Sequence, residues 1–329
     1  MHQHFQLIGS GHILPSRTLT AEDVDERIGR PRGWTRKYTG VITRHECTGD
    51  ESLATMARDA SLAALDDADL TLNDIDLLID ASTSRHQPIP SNAPAILREL
   101  GAAANGLSCM DVHHACLSFV MAMQVANGLL GIEACQRVLI VSAEACLAAA
   151  NWNDAESSCL LGDGAAAVVL ARSPARGHFA YRHETLPEHY DACGVRGGAH
   201  ALPAFEYTKE NDADYRFRMD GKRLLRIAKK YLPALYADIV ADAAVDADLL
   251  HVIPHQASPT ALTGVRRWLK VNPMRFHDQG VTEHGNVGAA GIPITLDRAR
   301  RAGAINTGDA IMLLGTAAGY SQAGMVFTL

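Results

Sequence analysis

The chain has 329 residues, of which 47% are hydrophobic and 20% charged, so it can bury one large core or two fused smaller ones. Its formal net charge of −7 argues against a nucleic-acid-binding protein, which is usually basic. The seven cysteines are irregularly spaced without a Cys-x-x-Cys pair, which argues against a disulfide framework or a zinc site and predicts a reducing compartment.

The apolar segments predict neither a signal peptide nor a membrane span. Residues 1–5 contain no basic region that leads into an apolar stretch. The longest apolar stretch, residues 115–132, is interrupted by Ser118, Gln124 and Asn127, which is typical of a buried helix. We therefore expect a cytoplasmic protein without a metal site and without a membrane span.

Two runs of predicted elements follow one another along the chain with the same rhythm. The first run consists of a helix over 52–65, a buried strand over 76–80, a helix over 116–130 and a strand over 138–141. The second run consists of a helix over 222–235, a strand over 248–252, a helix over 288–301 and a strand over 310–314. Corresponding strands lie about 170 positions apart, which indicates an internal duplication.

Alternating buried strands and helices predict an α/β fold with parallel-rich sheets covered by helices. We expect an N-terminal half over 1–172 and a C-terminal half over 173–329, joined near 173–177 and stacked through a shared helical layer. Residues 178–220 break the pattern and predict a variable cap over one end of the sheets. The alternative is two unrelated α/β domains whose predicted helices and strands share one order and spacing by chance.

Three residues that suit acyl-transfer chemistry are placed by this duplication. Cys116 is predicted to begin the central helix of the first half, and Asn286 begins the matching helix 170 positions later. His255 follows a predicted strand and Pro254. Because sites in α/β proteins form at strand ends and helix N-termini, we expect the three side chains to converge.

Each of the three residue types has a chemical role in such a site. A helix N-terminus is expected to lower the pKa of the Cys116 thiol and favour a nucleophilic thiolate. The His255 ring can donate to a thioester carbonyl or exchange a proton, and the Asn286 amide can donate to an oxyanion without titrating. The alternatives are a buried structural cysteine, an ordinary histidine and an N-cap asparagine. The glycines near Asn286 do not form Gly-x-Gly-x-x-Gly, so no dinucleotide cofactor is expected.

Four short motifs occur in order along the chain, and together they resemble a known family. They are Ala115-Cys116, Gly162-Asp163-Gly164-Ala165, Pro254-His255-Gln256-Ala257 and His284-Gly285-Asn286. In this order, over nearly the whole chain, they are similar to β-ketoacyl-[acyl-carrier-protein] synthase III of the thiolase superfamily. The resemblance implies a five-layered αβαβα thiolase fold, a homodimer and no cofactor.

The resemblance also implies a reaction and a set of roles. Cys116 takes an acyl group from a starter thioester, and the backbone amides of Cys116 and Gly319 hold the oxyanion. His255 and Asn286 hold the carbonyl of a malonyl unit, whose loss of CO₂ gives an enolate that attacks the acyl group. Acyl-carrier protein is the expected partner, and coenzyme A is a possible donor.

The chain departs from the family pattern at the substrate entrance. Trp34 matches the tryptophan that stacks on the adenine of coenzyme A, but Tyr38, Ala155 and Thr260 stand where basic residues are expected. Ser258 after Gln256-Ala257 is also unusual. These differences predict that acetyl-coenzyme A is not the starter and that the chain belongs to a specialised-metabolism branch. Ile89 falls where a dimer partner closes the acyl pocket, and its small size predicts a pocket that admits more than acetyl.

Basic residues cluster on two predicted helices that contact the carrier protein in the family. They are Lys222, Arg223, Arg226, Lys229, Lys230, Arg266, Arg267 and Lys270. Opposite charge would speed and orient the encounter with an acidic carrier protein. From charge alone, a solvated helix face remains an equal alternative.

Three other functions are compared with the condensing enzyme. An acyltransferase that passes the acyl group from Cys116 to a hydroxyl or amine is less consistent with Asn286, which suits enolate stabilisation. A non-catalytic subunit of a heterodimeric ketosynthase is less consistent with the intact Cys-His-Asn set. A papain-like hydrolase does not fit the duplicated α/β pattern.

Overall fold

The computed structural model describes residues 2–174 and 177–329, so Ala175 and Arg176 of the predicted junction lie outside the described residues. The strands are β1 Phe5–Ile13, β2 Arg17–Thr20, β3 Thr43–Glu46, β4 Leu77–Asp80, β5 Ser108–Asp111, β6 Arg137–Ala145, β7 Asp163–Arg172, β8 Ala180–Thr185, β9 Cys193–Gly194, β10 Arg218–Met219, β11 His251–Pro254, β12 Ala310–Ala317 and β13 Ser321–Thr328. The helices are α1 Ala21–Arg27, α2 Trp34–Thr39, α3 Leu53–Asp67, α4 Asn92–Leu100, α5 Ser118–Gly131, α6 Ala155–Ser158, α7 Gly221–Ala243, α8 Pro259–Leu269, α9 Gly280–His284 and α10 Gly291–Arg301.

Two large sheets have the same strand order. The first sheet runs β1-β7-β6-β4-β5, and the second runs β8-β13-β12-β11. In both sheets the second and third strands of this order are antiparallel, and the third and fourth strands are parallel. Beyond β11, a single parallel bridge from Val252 to Phe276 takes the place that β5 has beside β4.

Alternating side chains of the strands separate the core into layers. Ile79 packs in a central apolar cluster with residues of α5, α10 and both sheets, whereas its neighbour Leu78 packs against α3 and α4. On the second sheet, Leu313 faces the same central cluster and Met312 faces α7 and α8. Because successive side chains of a strand point to opposite faces, this alternation gives the expected five layers, helix–sheet–helix–sheet–helix.

The helices match their positions in these layers. α5 is apolar on most of its surface and lies between the two sheets. A helix that is hydrophobic all round must be buried in this way. The outer helix α3 begins with a capping box in which Ser52 and Thr55 bond to each other's backbone N–H groups. Among the described residues, no helix is both long and apolar enough to cross a membrane.

Several predicted boundaries are corrected by the structure. The helix expected over 116–130 begins at Ser118, and the one expected over 288–301 begins at Gly291 after a short 3₁₀ turn. Of the predicted cap 178–220, Ala180–Thr185 forms an edge strand of the second sheet. Its alternating polar residues concealed this strand, because one face of the edge strand lies near solvent, where Arg182 pairs with acidic residues of α7.

Candidate active site

Cys116 lies on a tight turn immediately before α5. Ala115 has a φ of +46°, and the Ser118 hydroxyl accepts from the His114 N–H at 2.8 Å while it donates to the Ala115 carbonyl at 2.7 Å. These bonds within the turn hold an unfavourable left-handed residue in place. The turn presents Cys116 two residues ahead of the first helical residue rather than within the helix.

The expectation of a lowered thiol pKa at Cys116 is wrong. Burial is the largest effect and raises the pKa of Cys116, and the nearby Cys193 thiol and Glu144 carboxylate raise it further. The helix dipole acts within the first turn, whereas Cys116 precedes that turn and sits beside a buried carboxylate. Cys116 is therefore a thiol in the unliganded protein.

His255 follows the last residue of β11 and is buried. Its backbone N–H donates to the Leu314 carbonyl at 2.7 Å, which continues the pairing of β11 with β12 past the end of the strand. Burial lowers the pKa of His255 to about 4, so the ring is neutral at pH 7. A neutral imidazole carries one N–H donor without bringing a charge into the site.

Asn286 is held by backbone bonds to the other half of the chain. Its N–H donates to the Leu160 carbonyl at 2.6 Å, and its carbonyl accepts from the Gly162 N–H at 3.1 Å. The side-chain Oδ1 accepts from the Gly288 N–H at 3.1 Å, which leaves the amide NH₂ to donate elsewhere. Asn286 therefore lies in a loop, two residues before the 3₁₀ turn, and does not begin a helix.

Two glycines allow the Asn286 loop to approach the Gly162 turn. A side chain at Gly162 would place its Cβ 2.0 Å from the His284 carbonyl oxygen. A side chain at Gly285, whose φ is +71°, would place its Cβ 2.6 Å from the Leu160 carbonyl oxygen. No larger residue fits at either position without moving backbone. The glycines of the Gly-Asp-Gly turn and of the His-Gly-Asn motif therefore serve one contact, between the Gly162 turn and the Asn286 loop.

A narrow apolar cavity of about 170 Å³ joins the three side chains. Cys116, His255 and Asn286 all line it, and its remaining walls come mainly from apolar residues of α7, α8 and the end of β12. No Asp, Glu, Lys or Arg among residues 2–174 and 177–329 lines this cavity. Dipoles and hydrogen-bond donors act strongly in such surroundings because little water screens them.

A wider cavity of about 790 Å³ opens from the inner one towards the surface. The two cavities share the lining residues Leu160, Met219, Gly221, Leu225, Ser258 and Ala261. Five of the six residues that the sequence assigns to substrate binding line the outer cavity: Trp34, Tyr38, Ala155, Ser258 and Thr260.

Side chains at this entrance are engaged with one another. The rings of Trp34 and Tyr38 pack with their centres 4.8 Å apart. The Ser258 hydroxyl caps α8 by accepting from the Ala261 N–H at 3.1 Å. The outer cavity is therefore an aromatic-walled entrance whose floor is formed by the start of α8.

Two predicted site residues lie outside both cavities. Ile89 is 87% exposed in the loop between β4 and α4. Gly319 has a φ of +79° in the turn between β12 and β13, and the cavity wall at this end is formed by residues from Gly315 to Ala318. A role for Gly319 in the oxyanion hole stays a prediction.

Sequence reasoning missed four residues around the site. Arg30 lies with its guanidinium carbon 5.2 Å from the Trp34 ring centre and lines the entrance, which also contains Asp154 and Glu156. Cys193 lines the inner cavity beside Cys116. None of these positions belongs to one of the four motifs, because folding brings them to the site from three separate segments of the chain.

The predicted docking residues occupy two neighbouring helices. On α7, Lys222, Arg226, Lys229 and Lys230 are exposed, whereas Arg223 pairs with Asp191 at 3.0 Å. At the end of α8, Arg267 and Lys270 are exposed and Arg266 is half-buried. Lys222 itself lines the entrance, so the α7 cations extend from the cavity mouth along one helix.

Family models match both halves of the chain. The model described as 3-Oxoacyl-[acyl-carrier-protein (ACP)] synthase III matches residues 110–185, and the model of its C-terminal region matches residues 241–329. The chain is 30% identical over 317 residues to a protein of Alkalilimnicola ehrlichii, with 96% of each chain covered. It is 32% identical to a protein of Erythrobacter litoralis, with 95% of each covered. Both relatives are named beta-ketoacyl-[acyl-carrier-protein] synthase III.

Solved structures have the same fold. The 3-oxoacyl-[acyl-carrier-protein] synthase III of Aquifex aeolicus superposes with a TM-score of 0.88 at 26% identity, over 99% of this chain and 100% of that one. The priming β-ketosynthase of the R1128 polyketide biosynthetic pathway superposes with a TM-score of 0.90 at 25% identity, over 100% and 97% of the two chains. The thiolase fold predicted from the sequence is confirmed.

Proposed function

Because the chain belongs to the 3-oxoacyl-[acyl-carrier-protein] synthase III family and is an acyltransferase, we propose that Cys116, His255 and Asn286 carry out its decarboxylative condensation. The observation that carries these roles is the shared inner cavity, which a thiol, a neutral imidazole and an amide line together, with no ionised side chain among the described residues of its wall. The set supplies one nucleophile and two uncharged donors, which is what a condensation through an enolate requires.

In the first step, the Cys116 sulfur attacks the carbonyl carbon of an acyl thioester. The new carbon–sulfur bond forms to give a tetrahedral oxyanion, whose collapse breaks the donor's carbon–sulfur bond, and the proton of Cys116 ends on the departing thiol. Because burial raises the pKa of Cys116, the resting thiol must give up its proton for this attack. The oxyanion of this step lies near the backbone amide of Cys116, and we assign the second donor to the Gly319 turn.

In the second step, a malonyl-type thioester enters the emptied channel. His255 and Asn286 donate to its thioester carbonyl, the bond to its carboxylate breaks and CO₂ leaves. The resulting enolate carbon attacks the acyl carbonyl, and Cys116 departs and regains a proton. Each donor contributes about 2.7–4 kcal/mol to the stabilisation of the developing negative charge.

We propose that acyl-carrier protein delivers both thioesters. Ala155 and Thr260 offer no cation to nucleotide phosphates, and Asp154 and Glu156 offset the charges of Arg30 and Lys222 at the entrance. The exposed cations of α7 lead away from this entrance and suit an acidic protein surface. A starter larger than acetyl, in fatty acid or specialised-metabolite biosynthesis, is consistent with this arrangement.

We further propose a cytoplasmic homodimer. All seven cysteines are free, which suits a reducing compartment. β5 is an edge strand of the first sheet, and edge strands readily pair with another chain. An ion pair of 2.6 Å between Arg85 and Asp111 ties the Ile89 loop to the end of β5, so a partner paired there would receive Ile89.

The test records the intact mass of the protein after incubation with acyl groups on coenzyme A and on acyl-carrier protein. The expected result is one acyl adduct that is absent from Cys116→Ala and forms faster from the carrier protein. Malonyl-carrier protein should then discharge the adduct as a β-ketoacyl thioester. Discharge only onto a hydroxyl or amine would contradict condensation, and an adduct that persists in Cys116→Ala would contradict the nucleophile. Light scattering of the same sample reports the dimer.

A further inference from the structure

A single buried carboxylate connects three segments around the active site. Glu144 lies near the end of β6, has no exposed surface and points into the central layer between the two sheets. Its Oε1 accepts from the N–H groups of Thr83 at 2.6 Å and Ala289 at 3.1 Å. Its Oε2 accepts from the N–H of Ser84 at 2.9 Å and from the Ser84 hydroxyl at 2.7 Å.

These bonds require a carboxylate rather than an acid or an amide. Three backbone N–H groups, which can only donate, reach both oxygens, and the Ser84 hydroxyl lies beside Oε2. A proton or an NH₂ group on either oxygen would face a donor and leave it unpaired, which is costly in a buried site. Burial raises the pKa of Glu144, and the hydrogen bonds from Thr83, Ser84 and Ala289 oppose that shift and favour the carboxylate.

The segments that Glu144 joins both lead to the reaction. Ala289 follows the Asn286 turn by three residues, and Gly288 leaves no room for a side chain because its Cβ would lie 2.9 Å from the Glu144 carboxyl carbon. Thr83 and Ser84 lie in the loop between β4 and α4, which also carries Ile89. The Ser84 hydroxyl also accepts from the Ala145 N–H at 3.1 Å, which lays this loop along β6.

We propose that Glu144 is a positioning residue, which fixes the Asn286 turn against the Thr83–Ser84 loop and so aligns the donor of the condensation step with Cys116. The residue acts through Asn286 and does not touch substrate. Its loss therefore affects the half-reaction that uses Asn286 and spares the acylation of Cys116. This inference rests on the proposed roles of Cys116 and Asn286.

The experiment measures the two half-reactions separately in the full-length protein. Acyl transfer to Cys116 is followed by intact mass, and CO₂ release is followed with malonyl-carrier protein. In Glu144→Gln, we expect acylation no slower than in wild type, because the substitution removes a carboxylate that raises the pKa of Cys116. We expect CO₂ release to be lower by about 100-fold, as for a donor displaced by about 1 Å. Glu144→Asp keeps the charge with a shorter reach and should recover part of the CO₂ release.

Asp297→Asn is the matched control. Asp297 is also a fully buried carboxylate, and it accepts from the Ser10 hydroxyl at 2.6 Å and from Arg301 Nε at 3.0 Å, but it makes no bond to the Asn286 turn. It should lower thermal stability without separating the half-reactions. If Glu144→Gln fails to fold, Ser84→Ala, which removes one donor to Oε2, should give a smaller separation of the same sign.

The outcomes distinguish this inference from the proposed function. If wild type neither acylates nor releases CO₂, the proposed function fails and the inference falls with it. If wild type does both, equal losses of the two half-reactions in Glu144→Gln overturn the positioning role, as does full activity. A separation as large in Asp297→Asn would also overturn it.

Discussion

Truncation of Asn286 gives a quantitative test of the proposed condensation step. In Asn286→Ala, the two backbone bonds to Leu160 and Gly162 remain possible, because neither involves the side chain. The substitution removes the amide donor and the bond from Oδ1 to the Gly288 N–H. The loop should therefore stay near its place while the reaction loses one donor.

The expected effects on rate and stability differ in size. Loss of one preorganised donor costs about 2.7–4 kcal/mol in the transition state, so CO₂ release should fall about 10²- to 10³-fold. Loss of the bond to Gly288 should cost about 0.5–1.5 kcal/mol of folding free energy. Acylation of Cys116 should change little, since its oxyanion does not use the Asn286 amide.

Asn286→Asp is the matched variant. An aspartate keeps the shape of the side chain and can still accept from the Gly288 N–H, but it lacks the NH₂ donor and adds a charge. We expect CO₂ release to fall at least as far as in Asn286→Ala, measured with malonyl-carrier protein at saturating concentration. Wild-type CO₂ release in either variant would refute the assigned role, and so would an equal fall in acylation.

Three further predictions follow from named side chains. The alkylation rate of Cys116, corrected for the rate in Cys116→Ala, should still be rising at pH 9. The reason is that burial raises the thiol pKa above its usual 9.0 and only the thiolate reacts. A plateau of the rate below pH 8 would contradict this prediction. Ile89→Phe should shorten the longest acyl chain that loads on Cys116 and leave acetyl loading unchanged, and unaltered long-chain loading would count against a partner-closed pocket. The double variant Lys222→Glu with Arg226→Glu should raise the KM for carrier-protein thioesters about tenfold or more through like-charge repulsion, but not the KM for small-molecule thioesters. Equal changes with both donor types would rule out docking on α7.

Much of the fold follows from local sequence patterns. The buried strands β4, β6 and β12 were evident because a strand covered on both faces must be a continuous apolar run. The strand expected over 248–252 exists as β11, but it begins three residues later, at His251. Their common spacing predicted the duplication, and the two sheets do share one strand order. The edge strand β8 was missed because an edge strand that is partly in solvent does not need such a run.

The motifs likewise indicated which chemistry the chain contains, though not how its site is held. Cys116, His255 and Asn286 stand in short motifs, and the chain brings them to one cavity. The backbone hydrogen bonds of Asn286 to Leu160 and Gly162 join two segments that are more than 120 residues apart. No local sequence pattern encodes such a contact.

The charge state of the site was decided by tertiary structure alone. The sequence placed Cys116 near a helix start and so predicted a thiolate, but the folded chain encloses the thiol and brings Glu144 and Cys193 beside it. A pKa depends on the solvent and charges within a few ångströms, and folding assembles these from distant residues. The sequence by itself thus determined the fold and the family and indicated three candidate reacting groups, whereas the tertiary structure decided the surroundings of those groups.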